Sequence, residues 1–119
     1  MHQDSPLKRK TYAFALRVTL LCKKLMEEKK EYVLSKQFLK SATSIGANVA
    51  EAQHAQSRND FAAKLSIALK EAWESDFWIH LLCDASYIGH STGEELLRDL
   101  SEIIALLTSS IKTARKNSL

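Results

Sequence analysis

Turn-forming residues are scarce in this 119-residue chain, which has three glycines and one proline. A β-rich chain of this length needs far more punctuation, so the shortage excludes a sandwich or barrel. Cysteine is equally thin. Cys22 and Cys83 are far apart, with no Cys-x-x-Cys pair and no zinc spacing. That excludes a disulfide scaffold and reads both thiols as small buried hydrophobes in a reducing compartment. No apolar run approaches the roughly 18 residues that a membrane span needs. The opening Met1-His2-Gln3-Asp4-Ser5-Pro6 has no apolar core, so it does not read as a signal peptide. A cytoplasmic location is the expectation.

What is present is ordinary for a folded chain: 45% hydrophobic and 26% charged residues, enough for one core and against disorder. The net charge of +3 is unevenly spread. Residues 1–30 hold eight basic and three acidic residues, a net +5, and residues 58–90 hold three and five, a net −2. The basic quarter can meet a polyanion or the acidic segment of a neighbouring copy, or both can be solvated helix faces.

Apolar spacing predicts four helices, at about 7–30, 35–53, 58–86 and 91–116. The first follows Pro6 and carries Tyr12, Leu16, Leu20, Cys22, Leu25 and Met26 along its apolar side, with Lys29 and Lys30 at its negative end. Ser35 is the expected N-cap of the second, whose seam is Phe38, Ala42, Ile45, Val49 and Ala52. Gly46 inside it points to close approach of another helix. Ser57 caps the third, with Phe61, Leu65, Ala68, Ala72, Ser75, Ile79 and Leu82 inward and Gly89 as its C′ residue. Ser91-Thr92-Gly93-Glu94 reads as a capping box opening the fourth, lined by Leu96, Leu100, Ile103, Ile104, Leu107 and Ile111 before the chain frays at Asn117-Ser118-Leu119. Long helices joined by short connections give an all-α, up-down-up-down antiparallel four-helix bundle, one domain over residues 1–119.

Few residues suggest chemistry. Ser41, Ser44, Asn48 and Glu51 form a polar row on the second helix, and Glu71 and Glu74 lie on the third. Ser44, Asn48, Glu51, Glu71 and Glu74 are read as a structural polar network, in which Asn48 meets Glu71 across antiparallel helices and fixes their register. Bundle di-iron sites need Glu-x-x-His on two helices, and the chain does not carry that pair. Of the histidines, His2 lies in the tail, His54 and His90 near loops, and His80 between Asp76 and Asp84, where a surface ion pair suffices. With no phosphate-binding loop and no nucleophile elbow, the expectation is no catalytic residue, no metal and no cofactor. Trp73, Phe77 and Trp78 crowd one stretch of the third helix and cannot all point inward. They are read as an oligomer interface, against a thick aromatic layer in the monomer core. The candidate nucleic-acid surface is Lys8, Arg9, Lys10, Arg17, Lys23 and Lys24, with Arg9, Arg17 and Lys24 one stripe along the first helix.

Two blocks carry a family resemblance. Leu39-Lys40-Ser41-Ala42-Thr43-Ser44-Ile45-Gly46-Ala47-Asn48-Val49-Ala50-Glu51-Ala52 resembles the second-helix signature of bacterial proteins encoded in ribosomal-RNA intervening sequences. Asp60-Phe61, Lys64 through Glu74 and Phe77 through Leu82 look like that family's third helix. Lys40 stands where arginine is common and Ala52 where glycine is common. Ser41, Ser44, Asn48, Glu51, Glu71 and Glu74 fall on signature positions. The resemblance implies a bacterial, cytoplasmic four-helix bundle forming a homopentamer, related to accessory proteins of diversity-generating retroelements that bind nucleic acid and a reverse transcriptase. The function expected is an oligomeric binding or assembly protein, not an enzyme, that contacts RNA or DNA through the first helix; the alternative is a protein scaffold with no nucleic-acid contact.

Overall fold

The computed structural model describes residues 5–117, and Met1–Asp4, with His2, and Ser118 and Leu119 lie outside it. Four helices account for most of these residues: α1 (Pro6–Glu28), α2 (Val33–Ala52), α3 (Arg58–Asp84) and α4 (His90–Asn117). They pack in a rod 49 Å long and about 20 Å across. Each helix touches its two neighbours in the cycle α1–α2–α3–α4, so α1 lies diagonally across from α3. Cross-helix pairs run in opposite order: Ser41 with Ser75 and Glu51 with Lys64 between α2 and α3, and Lys10 with Glu102 and Arg17 with Glu95 between α1 and α4. These neighbours are therefore antiparallel, as expected of an up-and-down bundle.

The core follows the 3–4 spacing. Phe38, Ala42, Ile45, Val49 and Ala52 of α2 are fully or nearly fully buried. So are Leu65, Ala68, Ala72, Ile79 and Leu82 of α3 and Leu96, Leu100, Ile103 and Leu107 of α4. α1 departs from the sequence reading. It buries Thr11, Phe14, Val18, Cys22 and Leu25, while Tyr12, Leu16 and Leu20 face solvent. Two apolar stripes run along this helix. The one with 3-4-4-3 spacing drifts less around the axis and meets the core. The pure four-residue stripe is left outside.

Three helix ends also differ from expectation, one of them that of α4, which begins at His90 and so holds Ser91 of the expected capping box inside its first turn. Ser35 lies inside the first turn of α2 and does not cap it, and the N-cap residue Tyr32 makes no side-chain bond. Glu31 does the capping: its carboxylate accepts from the backbone N–H groups of Val33, Leu34 and Ser35 and from the Ser35 hydroxyl, at 2.7–3.1 Å. Glutamate is long enough to reach the three open donors from one residue further back. At the far end of α3, the left-handed C′ residue is Ser86 (φ 65°) and not Gly89. Tyr87 N–H bonds back to Leu82 O and Ser86 N–H to Cys83 O, closing the helix five residues earlier than the glycine. Gly89 O instead accepts from Gly93 N–H in the first turn of α4. Gly93 serves packing as well, since a Cβ there would stand 2.3 Å from Cys83 Sγ.

Burial pushes the Glu31 carboxyl up, but the bonds from Leu34, Ser35 and Val33 outweigh it and hold it below its ordinary value of 4.5. A depressed native pKa stabilises the fold fully above the unfolded value, and that contribution is lost as pH falls through the native one. Glu31→Ala is expected to lower folding stability by about 1–3 kcal/mol at pH 7. In urea titrations the gap between wild type and variant should close as the pH drops from 5 toward 2. A gap that does not change with pH would show that the carboxylate is not the capping group.

Candidate interaction surfaces

Exposed large hydrophobic side chains are confined, among the described residues, to three places. On α3 they are Ile67, Trp73 and Phe77, the two aromatics being 56% and 57% exposed. On α1 they are Tyr12, Leu16 and Leu20. Tyr32 and Val33 form the third group, at the α1–α2 turn. α4 and the rest of α2 turn polar or small residues outward. α3 is therefore apolar around much of its circumference, unlike a helix that only lines a bundle.

The aromatic stretch divides as its spacing requires. Trp78 packs half-buried against the core and donates from Nε1 to Glu74 Oε2 at 3.1 Å. Phe77 meets the Trp78 ring edge-to-face with centroids 5.0 Å apart. Trp73 stands on the outside, one turn before Phe77. Together Trp73, Glu74 and Phe77 form a ridge of aromatic rings carrying a carboxylate.

The polar row of α2 faces α3, but the bonds differ from those expected. The Asn48 amide donates to Ser44 O one turn back, at 2.8 Å, and no hydrogen bond joins Asn48 to Glu71 among the described residues. Glu51 pairs with Lys64 at 3.0 Å, which raises the lysine pKa. The buried link across this seam is Ser41 Oγ to Ser75 Oγ, 2.9 Å, with Ser41 also donating to Phe38 O. Sequence reasoning placed Ser41 in the row but took Ser75 for a seam position. Two small hydroxyls meet where the helices come close, and longer polar chains are pushed to the rim.

The basic residues of α1 are divided between two uses. Arg17 reaches α4, pairing with Glu95 and, at 3.5 Å, with Asp99. Lys10 pairs with Glu102 at 3.6 Å. Two of the six residues of the expected surface therefore tie α1 to the helix it touches least. Lys23 and Lys24 are exposed. Lys8 and Arg9 border a groove between α1 and α2 of about 570 Å³, lined also by Thr11, Ala15, Gly46, Ala47 and Ala50. A Cβ on Gly46 would lie 3.4 Å from Thr11 O, so the two helices do approach closely here. The sequence analysis gives Ala47 and Ala50 no role, because small residues by themselves do not mark a groove.

No group of three His, Cys, Asp or Glu side chains that could hold a metal occurs among the described residues. The single Glu-x-x-His, Glu51 to His54, has its carboxylate on Lys64. His80 pairs with Asp76 at 3.7 Å. Cys22 is fully buried, and burial, with the charge of Glu31 adding, pushes its thiol up to about 12, which removes it as a nucleophile near neutrality. Cys83 is half-buried and is also raised, by burial and then by Asp84. No described helix is long and apolar enough to cross a membrane.

Comparison with known proteins agrees with the helical arrangement. A sequence profile for the 23S rRNA-intervening sequence protein matches residues 3–109. The chain belongs to this family. Among solved structures, a protein of unknown function from the S23 ribosomal protein family of Bacteroides thetaiotaomicron superposes with a TM-score of 0.87 at 51% identity, over 89% of this chain and 98% of that one. No curated protein matches. Family membership accounts for the second- and third-helix signatures as bundle sequence: Ser41, Ile45, Val49, Ala68 and Ala72 are buried seam residues.

Arg17 bridges two carboxylates on a partly exposed seam, where ion pairs contribute about 0.2–1 kcal/mol each. Arg17→Glu converts attraction into repulsion and is expected to lower the thermal midpoint by several degrees at low salt. The loss should be smaller in 0.5 M salt. An unchanged midpoint at low salt would show that α1 is held by its apolar stripe alone.

Proposed function

We propose that this protein is an assembly module: a non-enzymatic bundle that associates with copies of itself through the outer face of α3. The observation that carries the reading is the exposure of Trp73 and Phe77, each more than half open to solvent, on a helix whose inner face already fills the core. Large apolar patches on a single chain mark interaction sites, and aromatics are enriched in interface cores. A pentamer is the assembly expected from the family. The bundle supplies rigid geometry, and the outward ridge supplies the contact.

A second reading has its own support. Lys23 and Lys24 are exposed near the α1–α2 turn, which adds Lys29 and Lys30. In a ring these lysines repeat and their fields add, favouring RNA or another polyanion. Arg17 and Lys10, engaged with α4, contribute less to that surface than the sequence suggests.

Light scattering behind size exclusion tests the first reading. Wild type is expected to elute at a multiple of 13.4 kDa. Trp73→Ala combined with Phe77→Ala should shift the mass toward the single chain while helicity by circular dichroism is retained. A double variant with the wild-type mass would remove α3 as the interface.

A further inference from the structure

Building on that reading, we propose that the α1–α2 groove is the receptor for the α3 ridge, so that Trp73 and Phe77 of one copy seat between α1 and α2 of the next. The second copy is the occupant that the two surfaces fit. The groove is lined by small side chains, Ala15, Gly46, Ala47 and Ala50, together with Tyr12. Its volume of about 570 Å³ lies in the range of cavities that enclose a whole organic ligand, about 300–1,000 Å³. Small residues let another chain approach closely, and Trp73 and Phe77 are large flat groups with no cover of their own.

Charge supports the same pairing. Lys8 and Arg9 border the groove, while the exposed Glu74 stands beside the aromatic rings of the ridge and accepts from Trp78 Nε1. The segments that contribute them are basic and acidic respectively, net +5 over residues 1–30 and net −2 over residues 58–90. Complementary charge at the rim of an apolar contact sets orientation and suppresses wrong pairings. A ridge meeting a ridge would oppose two Glu74 carboxylates, and a groove meeting a groove would oppose two basic rims.

Position then dictates the form of assembly. The groove opens on the α1–α2 side and the ridge on the outer side of α3, which lies diagonally across from α1. One neighbour cannot satisfy both. Each contact is head-to-tail and leaves one groove and one ridge free, so growth ends only by closing a ring.

Two single-surface variants separate this inference from the reading beneath it. Ala47→Glu blocks the groove with bulk and with a charge that repels Glu74, and Trp73→Glu spoils the ridge. Both positions are solvent-exposed in the single chain, so neither change is expected to disturb the fold, and Ala50→Glu serves as a second groove variant. Each variant alone should run as a monomer by light scattering. Mixed one to one, they should form a dimer of about twice the chain mass, because each brings the surface that the other lacks. If both groove variants keep the wild-type mass, or if the mixture stays monomeric, the groove is not the receptor although α3 remains an interface. If Trp73→Glu keeps the wild-type mass, the α3 reading falls and this inference with it.

Discussion

A helix in a bundle of four buries only a stripe of its surface, and α3 carries more apolar surface than one stripe holds. Leu65, Ala68, Ala72, Ile79 and Leu82 fill the inner face. Ile67, Trp73 and Phe77 have no place left to go within the chain. Rotating α3 to bury them would bring Leu65 and Ile79 out. One copy alone leaves these side chains in solvent, and the proposed function rests on that exposure.

The rest of the bundle is arranged so that the surplus stays on the outside. α1 has the same conflict in milder form and leaves Tyr12, Leu16 and Leu20 exposed. Its contact with α4 is slight, and Arg17 and Lys10 strengthen it by pairing with Glu95, Asp99 and Glu102. That use of charge draws part of a basic stripe into holding the fold. On the α2 side, Gly46 admits the α1 backbone, and the small residues beside it leave a furrow in place of a filled seam. At the other end of this helix pair, Glu31 fixes the start of α2 with four hydrogen bonds. One chain thus presents an aromatic ridge and an unfilled groove on different sides.

Much of the fold was legible in the sequence because burial follows period. The seams of α2, α3 and α4 could be read directly from residues three and four apart. α1 was misread where two periodic stripes compete, since spacing alone does not say which meets the core. The helix ends were harder. Serine and glycine are the usual capping and C′ residues, yet a glutamate one residue further back caps α2, and Ser86 takes the left-handed position ahead of Gly89. The crowding of Trp73, Phe77 and Trp78 correctly signalled that some rings stay outside. The Asn48–Glu71 pair could not be checked by spacing, because a side-chain amide can turn back to its own helix, as Asn48 does to Ser44 O. The groove left no signal beyond a run of small residues.

The most direct test of the central claim is the solvent access of Trp73 itself. The chain has two tryptophans, so a Trp78→Phe background leaves Trp73 as the sole emitter. Acrylamide quenching is then measured from high micromolar to low nanomolar protein. Burial of the α3 face between copies predicts weak quenching and blue-shifted emission at high concentration, both moving toward solvent-exposed values on dilution. Strong quenching at every concentration, matching the exposure of the single chain, would contradict the account.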